Sequence, residues 1–286
     1  MTLNTRPLTP SVGLEVLGVD LRHIDMPQVA DLASCLDRAS ALLVRGQTLT
    51  PRELVAFSRR LGTLDEAPVN ETGKTVVEGL PELYVVSNIK DANGVAIGSL
   101  GAGEAVWHTD MSYLENPPDA SALYAIEIPS EGGDTWIAGM AAALDAMPAG
   151  LRARIEGRRI KHDGTYNSGG YVRQGVTPTD DPLTAPGALH PAIIQHPRSS
   201  REALYLGRRR NAWIEGMERA KSDALLDALW AHATRPEFTY KHRWQVGDLL
   251  IWDNRATLHR RDPFDPAARR LMHRTQISGK SIPISA

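Results

Sequence analysis

The sequence predicts a mainly β fold with flanking helices, a sandwich or jelly roll, in one domain spanning residues 1–286. Three observations carry this reading. Runs rich in branched or aromatic residues, each bounded by Gly, Pro, Asn or Asp, read as short strands at 83–89, 121–129, 134–139, 191–197, 203–207 and 247–254. Helical patterns interrupt these strands without alternating regularly with them, which disfavours a doubly wound parallel sheet. No repeat and no Pro/Gly/Ser linker divides the chain, and sandwiches and jelly rolls can run past about 200 residues as one domain.

The elements follow in order. The first 65 residues read as two helices between short strands. In "VADLASCLDRASALLV" the single cysteine, Cys35, shares a helical face with Leu32 and Leu36 and reads as a small core residue. The next helix is better marked. Thr50 is its N-cap, Pro51 opens it, Glu53 completes a capping box, and Gly62 can close it, with Leu54, Phe57 and Leu61 on one face.

The segment 97–106, "IGSLGAGEAV", has the order G-x-x-G-x-G with no helix start after it. It predicts a loop beside a site and not a phosphate cradle. Helical patterns recur at 140–147, 149–157 and 221–233. Between them, 166–191 is rich in Gly, Pro and Asp and reads as a long lid or binding loop.

Composition excludes several classes. Apolar residues make up 42% and charged residues 23%, as in ordinary globular proteins. With 32 basic against 34 acidic residues the formal net charge is −2, so there is no electrostatic footprint for nucleic acid or an anionic membrane. No run approaches the roughly 18 to 20 apolar residues that cross a bilayer, and the amino terminus lacks an apolar h-region. A lone cysteine permits no internal disulfide and fits a reducing compartment. The expected location is the cytoplasm.

The chemistry is concentrated in "WHTDMSY". In a strand, residues two apart share a face with Cα atoms about 6.5–7 Å apart, so His108 and Asp110 could converge on one metal ion. Alone the pair also fits an ordinary polar strand end. The third ligand would be His259, which follows a buried strand and a turn signal and so should lie at a sheet edge or just beyond it. Two imidazoles and one carboxylate suit a non-haem Fe(II) oxygenase, and zinc hydrolases can use the same donors.

Arginines narrow the choice. Arg270 lies eleven residues after His259 and Arg274 four beyond it, so Arg270, Met272 and Arg274 share one strand face. Two guanidiniums near a metal call for two anionic groups, although the segment alone also fits a solvated strand face.

Six motifs occur in the order of a known family: "GLEVLGVDL", "ALLVRGQTLTPRELVAFSRRLG", "VWHTDMSY", "PSEGGDTWIAGM", "GDLLIWDNRATLHR" and "RRLMHRTQISG". On these, nearly the whole chain resembles the TauD/TfdA-like oxygenases, the family of taurine dioxygenase and 2,4-dichlorophenoxyacetate dioxygenase. The resemblance implies a double-stranded β-helix core and use of Fe(II), 2-oxoglutarate and O₂. It also implies hydroxylation of a C–H bond, with release of succinate and CO₂. His108, Asp110 and His259 match the iron ligands. Arg270 matches the arginine that grips the distal carboxylate of 2-oxoglutarate, and Thr135 the hydroxyl that assists it. Asp110 argues against halogenation, since related halogenases lack this carboxylate.

Arg274 matches an arginine that meets the acidic group of the substrate in several members. A small carboxylate, sulfonate or sulfate substrate is therefore expected. Taurine is disfavoured, because Ala67 and Asn70 stand where taurine dioxygenases carry histidine and tyrosine, and Glu104 where an asparagine is expected. An aryloxyalkanoate, alkylsulfate or substituted amino acid fits better. Tyr113, the segment 166–171, Asn211 and Trp213 are the expected pocket walls, while Trp213 also fits core packing. A homodimer or tetramer is common in the family. A zinc-dependent hydrolase and a non-catalytic cupin-like binding protein are the competing classes, and neither needs Thr135 and Arg270 in register.

Overall fold

The protein is described by a computed structural model over residues 2–68, 77–280 and 283–286. The chain opens with β1 (Asn4–Pro7), β2 (Leu14–Leu17), α1 (Met26–Ala39), β3 (Ala41–Val44) and α2 (Pro51–Leu61). It continues with β4 (Tyr84–Ser87), β5 (Ser99–Leu100), β6 (Ala105–His108), β7 (Ala120–Glu127), β8 (Thr135–Gly139), α3 (Met140–Asp145) and α4 (Ala149–Arg152). Four short strands follow, β9 (Arg159–Lys161), β10 (Leu189–Pro191), β11 (Ile193–Gln195) and β12 (Glu202–Leu204). The last elements are β13 (Trp213–Ile214), α5 (Arg219–Ala233), β14 (Thr239–His242), β15 (Leu249–Asp253), β16 (Thr257–Arg261) and β17 (Leu271–Ile277).

Two sheets face each other. The larger runs β1-β2-β3-β15-β7-β17-β4-β5 and the smaller β14-β8-β16-β6. Strand alternation decides what each face holds. In β15, Leu250 and Trp252 enter the core between the sheets, beside Leu43, Leu123, Met272 and, from the smaller sheet, Ile137. Leu249 and Ile251 point the other way, into the layer beneath the two N-terminal helices with Leu32, Cys35, Leu54 and Phe57. Both helices begin as their sequences dictate. Asp25 and Gln28 form a reciprocal capping box on α1, and Thr50 and Glu53 form another on α2, each with Pro in the first turn. A third layer, built from α3, α5 and the short strands β11 and β12, covers the outside of the smaller sheet.

This is the expected jelly-roll core, mainly β with few helices. Two local expectations change. His259 does not lie at a sheet edge: β16 is flanked by β8 and β6, and His259 sits in register with Ile137 on one side and His108 on the other. β6 also ends at His108, so Asp110 stands in the following turn and not on the same pleat. Thr109 holds that turn, with its N–H donating to Gly207 O at 3.1 Å and its hydroxyl to Asn254 O at 2.7 Å.

Candidate active site

His108, Asp110 and His259 each offer a donor atom within 4.8 Å of the others, and all three are buried. Asp110 Oδ1 is 3.7 Å from His108 Nε2 and 3.8 Å from His259 Nε2. The remaining hydrogen bonds leave these atoms available. His108 Nδ1 must donate to the carbonyl of Val106, 2.7 Å away, which puts the lone pair on Nε2. Asp110 Oδ2 accepts from Ser121 Oγ at 2.7 Å, Ser121 Oγ accepts from Asn254 Nδ2 at 3.1 Å, and Trp252 Nε1 donates to Asn254 Oδ1 at 3.0 Å. That buried chain fixes one carboxylate oxygen and leaves Oδ1 toward the imidazoles. Such outer partners orient ligands and tune metal affinity.

The protonation states suit a metal here. Burial lowers the pKa of His108, and burial aided by the His108 charge lowers His259 well below the usual range, so both imidazoles stay neutral. For Asp110, burial pushes the pKa up, yet Arg274 and the two imidazoles outweigh it and keep the carboxyl ionised. The donor set fits a divalent iron. A second group of three, Asp37, His196 and Asp253, also comes within 4.8 Å. There Asp253 grips Arg255 through both oxygens at 2.9 and 2.6 Å and accepts from His196 Nε2 at 2.9 Å. Its lone pairs are engaged, and the group holds the β15–β16 turn.

A cleft of about 480 Å³, counting its open mouth, is lined by His108, His259, Thr135, Arg270, Arg274 and apolar residues including Val86, Leu123 and Trp252. Arg270 is 1% exposed, and its Nε and Nη2 have no hydrogen-bond partner among the described residues. Burial, reinforced by the neighbouring Arg261 charge, pulls its pKa down to about 9. A buried unpaired cation is costly, so this guanidinium awaits an anion. Beside it, Thr135 Oγ1 accepts from Trp244 Nε1 at 3.0 Å and keeps its own hydrogen free to donate. Arg274 also lines the cleft, with Nη1 3.3 Å from Asp110 Oδ1 and the guanidinium 4.9 Å from the Tyr84 ring centre.

Other expected residues sit elsewhere. Tyr113 is half-buried beyond Asp110 with the Arg173 guanidinium 4.1 Å above its ring. Asn211 donates to Thr179 O at 2.9 Å and Trp213 Nε1 to Met217 O at 2.9 Å, and neither lines the cleft. Both are held by backbone carbonyls, Trp213 by one four residues on and Asn211 by one in the 166–191 segment. Glu104 is exposed and pairs with Arg260 at 3.3 Å, Ala67 donates its N–H to Pro81 O, and Asn70 lies outside the described residues. Sequence reasoning missed Ser121, Trp244, Arg261 and Arg208. Arg261 had a readable signal, since it stands two residues after His259 on one strand and shares its face. It donates to Leu100 O at 2.8 Å and to Gly103 O, tying the 97–106 loop to the cleft.

Two imidazoles and a carboxylate clustered at one end of a jelly roll, with a buried cation beside them, form a non-haem iron oxygenase centre. The sequence model of "Taurine catabolism dioxygenase TauD, TfdA family" matches residues 4–276, and the chain belongs to that family. It is an Fe(II)- and 2-oxoglutarate-dependent dioxygenase, an oxidoreductase. It is 32% identical to an alpha-ketoglutarate-dependent 2,4-dichlorophenoxyacetate dioxygenase of Cupriavidus pinatubonensis, over 96% of this chain and 97% of the relative. It is 31% identical to an alpha-ketoglutarate-dependent sulfate ester dioxygenase of Pseudomonas putida, over 98% and 91% of the two chains. The crystal structure of a taurine dioxygenase from Burkholderia xenovorans superposes with a TM-score of 0.79 at 33% identity, covering 100% of this chain and 93% of the other.

Proposed function

We propose that this enzyme hydroxylates a C–H bond of a small organic acid, with His108, Asp110 and His259 holding Fe(II) and Arg270 and Thr135 holding the distal carboxylate of 2-oxoglutarate. The observation that carries the reading is the unpartnered Arg270 guanidinium, buried in the metal cleft beside a hydroxyl whose oxygen is already engaged. A planar guanidinium takes a carboxylate through two parallel bonds, and a 2-oxo acid reaching back from it can meet the metal. Bound iron supplies the reductive activation of O₂.

The chain's own residues bind, orient and exclude water. Ser121 and Asn254 fix the Asp110 carboxylate, while Val86, Leu123 and Trp252 keep the cleft apolar. Arg274 and Tyr113 face the substrate side in this reading. The substrate is a carboxylate, sulfonate or sulfate on an apolar body, such as an aryloxyalkanoate, an alkylsulfate or a substituted amino acid. The names of the relatives from Cupriavidus and Pseudomonas support that class. No helix among the described residues is long and apolar enough to cross a membrane. We place the enzyme in the cytoplasm, as a homodimer or tetramer in keeping with its family.

The test is release of succinate from 2-oxoglutarate when Fe(II)-loaded protein meets O₂ with each of these acids. Succinate in proportion to acid consumed is expected. An absence of succinate with every acid overturns the assignment.

A further inference from the structure

Among the described residues four arginines are buried, Arg208, Arg261, Arg270 and Arg274, and each has an Nε with no partner there. Three line the cleft, and two of those have tasks already: Arg270 stands beside Thr135, and Arg274 pairs with Asp110. Arg261 ties down the 97–106 loop. Arg208 is left over.

Its place is fixed by the sheet. His259 is in register with His108, and His108 forms a β-bridge with Arg208 on its far side. Directly opposed residues of antiparallel neighbours project from the same face. Arg208 therefore extends the row of metal imidazoles, on the flank away from Thr135. The adjacent hydrogen bond from Thr109 N to Gly207 O at 3.1 Å pins this register.

Arg208 is 6% exposed and makes no ion pair within 4 Å among the described residues, and its one hydrogen bond goes to the Tyr166 carbonyl. Tyr166 itself is clamped by Arg210, whose guanidinium lies 3.3 Å from its ring centre and pairs with Asp180 at 2.9 Å. A second cation sits close by. Arg173, held over the Tyr113 ring, has a buried Nε without a partner and also lacks an ion pair. Asp163 and Asp110 both attract Arg208 without forming an ion pair with it, and the Asp163 oxygens accept the N–H groups of Thr165 and Tyr166. Burial, with the Arg173 charge, lowers the Arg208 pKa to about 10. A buried guanidinium with a second, half-buried one beside it calls for a ligand that brings counter-charge.

Resting on the dioxygenase reading above, we propose that Arg208 and Arg173 form the acid-recognition subsite for the primary substrate. They would grip its carboxylate, sulfonate or sulfate on the side of the metal opposite the 2-oxoglutarate grip. The oxidised carbon would then lie within a few bonds of the acidic group, between Arg208 and the metal.

The test uses full-length Fe(II)·2-oxoglutarate protein without O₂, and calorimetric titration with 2,4-dichlorophenoxyacetate, its neutral amide, dodecyl sulfate and taurine. Wild type is expected to bind at least one acid and to prefer 2,4-dichlorophenoxyacetate to its amide. Arg208→Gln should weaken acid binding on the order of 30-fold or more, as loss of a buried charge partner does, and leave the amide unaffected. Arg208→Lys, which keeps the charge but not the fork, should fall between. In both variants the 2-oxoglutarate charge-transfer band should keep its midpoint. The metal-free Tm of Arg208→Gln should match or exceed that of wild type, whereas a structural arginine would lower it.

Unchanged acid affinity in Arg208→Gln overturns the proposal, as does equal loss of acid and amide, or no binding of any acid by wild type. A charge-transfer band that persists in those cases leaves the dioxygenase reading standing. Its absence from wild type refutes both.

Discussion

Replacing Arg270 with methionine removes the charge while keeping an apolar stem of similar length. The guanidinium is 1% exposed, and two of its nitrogens lack partners in the ligand-free protein. A carboxylate docked there gains two charge-assisted bonds shielded from water. Truncating one side of such a pair costs about 2–5 kcal/mol. That corresponds to a loss of roughly 30-fold to several thousandfold in 2-oxoglutarate affinity. The ligand-free fold responds in the opposite direction. Burial and the neighbouring Arg261 charge push its pKa down to about 9, the mark of a charge held at a cost that the methionine relieves. Anaerobic titration of Fe(II)-protein with 2-oxoglutarate, read by the charge-transfer band, gives the first quantity, and urea unfolding gives the second. Saturation at about 100 Kd should stabilise wild type by about 2.7 kcal/mol and leave Arg270→Met unmoved. An affinity within about threefold of wild type, which is less than 1 kcal/mol, or a ligand-free stability lowered by more than about 2 kcal/mol, would refute the reasoning.

Other consequences can be measured independently. Ser121→Ala frees Asp110 Oδ2 from its donor and should weaken Mn(II) or Fe(II) binding by about 10- to 100-fold in a metal titration, with unchanged affinity counting against it. Thr135→Val should lower 2-oxoglutarate affinity by about tenfold while metal affinity stays level, since one hydroxyl donor is lost. His273 is 9% exposed, and burial lowers its pKa from 6.5 to about 4. Between those values the unfolded chain takes up a proton that the folded chain refuses, so its contribution is intact above pH 6.5 and decays as pH falls toward 4. The loss reaches up to about 3 kcal/mol, and His273→Gln should flatten urea-unfolding stability over that window. An equally steep fall in the variant would show that His273 does not contribute.

How far the molecule could be read from its sequence depended on whether the deciding contact was local. The cap of the second N-terminal helix and the face shared by Arg270, Met272 and Arg274 follow from neighbours a few residues apart. The position of His259 inside a sheet did not, because its partners Ile137 and His108 lie more than a hundred residues earlier. Asp110 was placed on a strand by the period-two rule, yet Thr109 spends its hydrogen bonds on Gly207 and Asn254 and turns the chain first. Asn211 and Trp213 looked inward by chemistry alone, while their polar atoms are taken by nearby carbonyls. Arg208 carried no local signal. Its meaning comes from a single bridge to His108.

The most direct measurement of the central claim is the absorbance of metal-free protein as Fe(II) and then 2-oxoglutarate are added without O₂, followed by one pulse of O₂ in the presence of an acid substrate. A charge-transfer band that needs both additions, is lost in His108→Ala and decays with release of succinate is the predicted result. Equal succinate release by the His108→Ala and Arg270→Met proteins, or none from wild type with any acid, would contradict it.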